Sequence, residues 1–151
     1  MIGTSSEIAW LTAVPIAPEE LSTRSMAGER RARRHTAPSA TILFCRATQH
    51  SFLRLLTSAA VLAPYGNQPL TNSQAWDAYE TLLSDERITF AGEEPQGIAT
   101  LWRDYGARST SSPKLWMDAY LAAFAVRAGC RMVTTDTAFR QFQGLDVLVL
   151  G

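Results

Sequence analysis

The sequence predicts an α/β domain built on a mainly parallel sheet with helices on both faces. Three observations carry this expectation. Short apolar runs of strand length alternate with segments of helical periodicity, at spacings that allow crossover connections. Residues 41–45, Thr-Ile-Leu-Phe-Cys, are a continuous apolar run, as expected of a strand covered on both faces. Residues 113–128 read as a helix that is apolar almost all the way round, opened by Pro113 and stopped by Gly129.

The bulk numbers agree with one globular domain. The chain has 151 residues, 46% of them hydrophobic and 19% charged. A chain of that length buries about 70% of its unfolded surface without staples. No apolar run approaches the roughly 20 residues of a membrane span. The formal net charge is zero, so overall charge gives no nucleic-acid signal, although a local basic groove is enough for one. The basic residues are thirteen Arg and one Lys, a skew that points to G+C-rich coding. Cys45 and Cys130 lack CxxC spacing and read as buried free thiols, with the cytoplasm as the default compartment. The apolar run over residues 8–17 has no Lys or Arg before it and is interrupted by Pro15, which argues against an export signal.

Taken in order, Ile8-Ala9-Trp10-Leu11 could form a first strand, which Pro15 and Pro18 then break. Residues 19–38 have a poor pattern and an Arg cluster, read as a solvated or disordered face in preference to an RNA contact. The 41–45 strand leads into a helix over residues 48–56, with Phe52, Leu55 and Leu56 at helical spacing. Residues 64–67, Pro-Tyr-Gly-Asn, read as a loop. Thr71 and Gln74 have capping-box spacing and open a helix through Leu83. A short strand over 87–90 and a helix over 95–105 follow. After the polar loop 106–112, Ser112 is placed as N-cap and Pro113 as the first helical residue. The chain closes with a strand over 131–134, a helical turn over 137–142 and a strand over 145–150. Trp76, Trp102, Trp116, Tyr79 and Tyr120 stand at helical spacings and read as core rather than as base-stacking platforms.

Candidate chemistry gathers in residues 111–150. Asp118 is the only acid between Pro113 and Gly129, and a lone carboxylate on an apolar helix is costly to bury unless an Arg, backbone N–H groups or a metal pairs with it. Its place early in the helix also suits an anion, because the helix dipole is positive there. Asp136 directly follows a strand, so it belongs at the sheet edge where ligands bind in such folds. It could equally be a plain N-cap of the next turn. Two carboxylates meeting there would suit Mg²⁺, which takes hard oxygen ligands and can activate water. His35 and His50 are too few for a zinc set, and there is no GxGxxG or Walker loop.

These residues also match a known pattern. The run Trp116-Met117-Asp118-Ala119-Tyr120-Leu121-Ala122-Ala123, then Gly129, Met132-Val133-Thr134-Thr135-Asp136, Phe139, Phe142 and Gly144-Leu145-Asp146-Val147 resembles the C-terminal half of PIN-domain ribonucleases of the VapC toxin type. Residues 41–56 resemble that family's second strand and following helix, so the likeness covers about residues 40–151. It implies a three-layer α/β/α domain around a mainly parallel sheet. It also implies Mg²⁺- or Mn²⁺-dependent endoribonuclease activity, with RNA as substrate, a cognate antitoxin as partner and a homodimer as assembly. Asp118 and Asp136 match family acids that gather the metal. Gln49 falls where many members carry Glu, and its amide can still hold a metal-bound water.

One departure stands out. The family opens with a strand bearing an Asp, in a pattern such as Asp-x-Asn-x-Trp-Leu; here Trp10-Leu11 remains, but the aligned acid position is Ser6 and the nearest carboxylate is Glu7. The helix expected next is replaced by the Pro- and Arg-rich residues 15–38. Two explanations stand side by side: an out-of-frame or misplaced start over the first 38 residues, or a catalytically impaired PIN-like module that binds antitoxin or RNA without cleaving.

Overall fold

The computed structural model describes residues 9–13 and 41–151. The predicted Arg cluster of residues 19–38, Ser6, Glu7 and His35 lie outside the described residues. The described residues form five strands, β1 (Ala9–Ala13), β2 (Thr41–Phe44), β3 (Ile88–Phe90), β4 (Arg131–Thr134) and β5 (Val147–Val149). They join in one sheet with the order β3-β2-β1-β4-β5. The helices are α1 (Arg46–Leu56), α2 (Ala59–Leu62), α3 (Asn72–Leu83), α4 (Ile98–Gly106) and α5 (Leu115–Ala128). The α/β fold is the one the sequence predicts.

β2 pairs in parallel with β3, and β4 with β5. The central strand, β1, is antiparallel to both of its neighbours, with Leu11 opposite Leu43 and Ala9 opposite Thr134. Four strands therefore share one direction and the middle one opposes them. The consequence for the site is direct: β1 brings its amino end, Ala9, to the edge where β2 and β4 end.

The helices fall into two groups. α1 packs with α2 and α3, while α4 and α5 pack on each other and α5 lies on β4. α5 is the centre of the core because its small residues let neighbours come close: Ala119, Ala122, Ala123 and Ala125 are fully buried beside Phe124 and Leu121. Met132 of β4 and Phe139 and Phe142 beyond it complete the cluster. Burial of side chains of that size is worth about 1.5–3 kcal/mol each.

Several boundaries follow the local chemistry. Thr71 and Gln74 make the reciprocal capping box of α3, with Thr71 N donating to Gln74 Oε1 (2.9 Å) and Gln74 N to Thr71 Oγ1 (3.3 Å). Gly129 ends α5 at φ 64°, a conformation that favours glycine. Both cysteines are buried and free.

Other expectations are corrected. α5 starts at Leu115, not Pro113: Leu115 N donates to the Ser112 carbonyl (3.1 Å), and Pro113–Lys114 form a turn ahead of the helix, so Ser112 is not its N-cap. Pro64 and Tyr65, read as loop, belong to a 3-10 turn, Ala63–Tyr65, that follows α2 and ends at Gly66 with φ 72°. Of the aromatic residues read as core, Tyr79 is buried, whereas Trp76, Trp102 and Trp116 are 45%, 37% and 54% exposed.

Candidate carboxylate site

Asp118 stands in the first turn of α5, and Asp136 stands between β4 and the 3-10 turn Thr137–Gln141. Each is fixed by its local backbone. The α5 turn is held by the strongly buried face of the helix, which leaves Asp118 half-buried at its rim. Asp136 is locked at both ends: its N–H donates to Thr134 Oγ1 (3.1 Å), and its Oδ1 accepts from Ala138 N (2.8 Å). The N-cap role expected of Asp136 is thus real, and it uses one carboxylate oxygen of two.

The two acids share one cleft of about 330 Å³. Arg108, Thr110, Ser112, Lys114 and Gln141 also line it. The two acids also interact electrostatically. Burial pushes the Asp118 carboxyl above the ordinary aspartate range, the charge of Asp136 pushes it further, and Lys114 opposes both. A carboxylate raised by burial and by a like charge is one that gains from a nearby cation. Two carboxylates completed by water and phosphate oxygens also match the habit of Mg²⁺. The donors present therefore fit a hard divalent ion. Among the described residues there is no group of three or more His, Cys, Asp or Glu that could hold a metal.

Gln49 stands outside this cleft. It is buried in the first turn of α1, where its Oε1 accepts from Arg46 Nη1 and its amide lies beside Tyr79. α1 follows β2, and β1 separates β2 from β4 in the sheet. The structure thus brings Asp118 and Asp136 together and leaves Gln49 across the central strand.

No protein-family model matches the chain. It is 55% identical over 109 residues, 72% of this chain and 75% of the relative, to Ribonuclease VapC41 of Mycobacterium tuberculosis, in strain CDC 1551 / Oshkosh and in strain ATCC 25618 / H37Rv alike. The chain belongs to the VapC ribonuclease family.

This VapC-family chain has site residues that sequence reading missed. Arg108, Thr110 and Lys114 come from the connection between α4 and α5; Arg108 and Thr110 fall in the stretch read as polar loop, and Lys114 in the stretch read as the start of the helix. A signal was present: Lys114 is the sole lysine of the sequence and stands four residues before Asp118, a helical neighbour spacing. Among the described residues, no helix is long and apolar enough to cross a membrane.

Proposed function

We propose that this chain is an endoribonuclease toxin of a toxin–antitoxin pair, hydrolysing RNA phosphodiesters with Mg²⁺ or Mn²⁺ held by Asp118 and Asp136. The observation that carries this reading is the pair of carboxylates in one cleft, with Asp118 raised by burial and by its partner. The VapC41 kinship supports the ribonuclease class.

When bound, the divalent ion supplies an acidified water and neutralises charge on the phosphodiester. The chain's own residues do the rest. Asp118 and Asp136 provide hard oxygen ligands of fixed position, Asp136 because its cap anchors it. Arg108 and Lys114 draw in the polyanion and hold phosphate oxygens, Arg with a planar fork and Lys as a point charge. Thr110, Ser112 and Gln141 offer neutral hydrogen bonds around the same space. Gln49 takes a supporting part from the β2 side and touches no metal directly. An antitoxin protein that covers the cleft, and a homodimer, complete the proposed assembly.

The test is RNA cleavage by the purified chain with Mg²⁺, with Mn²⁺ and with EDTA, beside Asp118→Asn. Cleavage is expected with either metal and not in EDTA or with the variant. Full activity in EDTA would contradict the metal-dependent mechanism.

A further inference from the structure

We propose that the groove next to the carboxylate cleft is a nucleobase subsite, in which Trp116 stacks on an unpaired base of the RNA flanking the scissile phosphodiester. The proposal rests on the ribonuclease reading and adds to it a residue that selects single-stranded substrate.

The groove has a volume of about 270 Å³ and is lined in part by Gly106 and Trp116. It shares Arg108, Thr110, Ser112 and Leu115 with the cleft that holds Asp118 and Asp136. The two hollows are therefore neighbours, close enough for one strand to lay its phosphate in one and an adjoining base in the other. Trp116 precedes Asp118 by two residues, so both stand in the first turn of α5 but on different faces of it, one toward each hollow. Among the described residues it is the sole aromatic lining either hollow.

The ring is mounted rather than loose. A Cβ on Gly106 would come within 2.9 Å of Trp116 Cζ3, so the indole lies against bare backbone where any larger residue would displace it. The Trp116 carbonyl accepts from Trp102 Nε1 (3.0 Å), which ties its turn to α4. Yet 54% of the residue faces solvent. A fixed, half-exposed indole beside an arginine has the makings of a base-stacking platform, where every base offers a π-face and the guanidinium serves the phosphate. Thr110 and Ser112 add hydroxyls that can meet base edges. Stacking of this kind needs a base free of its helix, which selects unpaired RNA.

The experiment uses the full chain and single-stranded RNA oligomers carrying one abasic nucleotide at successive positions. In the cleavage assay, wild type is expected to lose roughly 5- to 150-fold in kcat/KM when the abasic nucleotide falls at one position beside the cut, the range for losing one stacked base. Trp116→Leu should show that loss on intact RNA and become indifferent to the abasic nucleotide, while Trp116→Phe, which keeps a ring, should retain most of the activity. The same oligomers, fluorescein-labelled and read by anisotropy in EDTA, report the subsite without cleavage. A position-specific loss in wild type that is absent in Trp116→Leu supports the subsite even if no RNA is cut, which separates it from failure of the ribonuclease reading. Equal binding of intact RNA by wild type and Trp116→Leu overturns it. Should Trp116→Leu fail to fold, Gly106→Ala, whose methyl group pushes the ring aside, must bind intact RNA more weakly and become indifferent to the abasic nucleotide, or the proposal falls.

Discussion

The sheet edge that carries the site has two unlike sides. On the β2 side, most polar groups answer one another inside the protein, the buried Tyr79 hydroxyl being the exception among the described residues. Cys45 N donates to Thr48 Oγ1 (2.9 Å), Thr48 Oγ1 donates to the Cys45 carbonyl (3.0 Å), and Gln49 takes the Arg46 guanidinium, which also lies 4.6 Å from the centre of the Phe90 ring. On the β4 side, two acids line one open cleft, and burial and the charge of Asp136 raise Asp118. Satisfied polar groups stabilise a fold, whereas groups held in an unfavourable field are reserved for a ligand that relieves it. The contrast separates a β2 side whose polar groups are mostly paired within the protein from a β4 side whose acids line an open cleft, which is where the proposed mechanism places the metal.

The largest expected effect breaks the β4 side. Asp118→Asn should lower kcat/KM by at least about 100-fold, the upper range for losing even an outer partner of a metal site. The same change should raise Tm in the absence of metal. The sign follows from the raised carboxyl: its stabilising contribution is complete below the unfolded aspartate value and is lost as pH rises through the higher folded one, so at neutral pH the ionised group works against folding. A melting series from pH 4 to 8 should show wild type losing ground to the variant as pH rises.

The β2 side should respond in the opposite sense. Thr48→Val removes the oxygen that receives the buried Cys45 N–H, at a cost of about 1–3 kcal/mol. That is a fall of roughly 2–4 °C in Tm for each kcal/mol in a chain of this size. Denaturant melting should show the loss while kcat per folded molecule stays within twofold of wild type. A collapse of kcat in a fully folded Thr48→Val protein would erase the distinction between the two sides.

Smaller effects sharpen the picture. Arg108→Ala should raise KM for RNA about fivefold, roughly 1 kcal/mol, and should weaken the salt dependence of KM. The smallest effect lies away from the edge. Arg87 holds the Asp85 carboxyl at about 2, well below its ordinary value. A depressed carboxyl stabilises the fold above the unfolded aspartate pKa, and that contribution fades as pH falls toward 2. Asp85→Asn should therefore flatten the acid end of the stability curve slightly, as read by melting between pH 4 and 2.

Much of this was legible locally. The capping spacing of Thr71 and Gln74, the glycine stop at Gly129 and the placement of Asp136 after β4 all depend on neighbours in sequence, and all appear in the fold. The meeting of Asp118 with Asp136 was legible because helix start and strand end face the same sheet edge. The direction of β1 was not, since a short apolar strand carries no sign of which way it runs; pairing with β2 and β4 decides that. Nor was the exposure of Trp102 and Trp116: helical spacing relates residues on one helix to each other but does not say which face is covered. Pro64 and Gly66 read as loop punctuation and hid the α2 turn next to them. Arg108 was hidden because a polar loop gives no periodicity from which to aim a side chain, whereas the spacing of Lys114 to Asp118 was there to be read.

The central claim, that Asp118 and Asp136 form an anionic pair awaiting a divalent ion, is tested most directly by the Tm of wild type and Asp118→Asn across a Mn²⁺ titration starting in EDTA. Wild type is expected to melt below the variant in EDTA and to gain stability with Mn²⁺ by ligand linkage, while the variant gains little. A wild type that melts no lower than Asp118→Asn in EDTA, with both proteins responding alike to Mn²⁺, would contradict the claim.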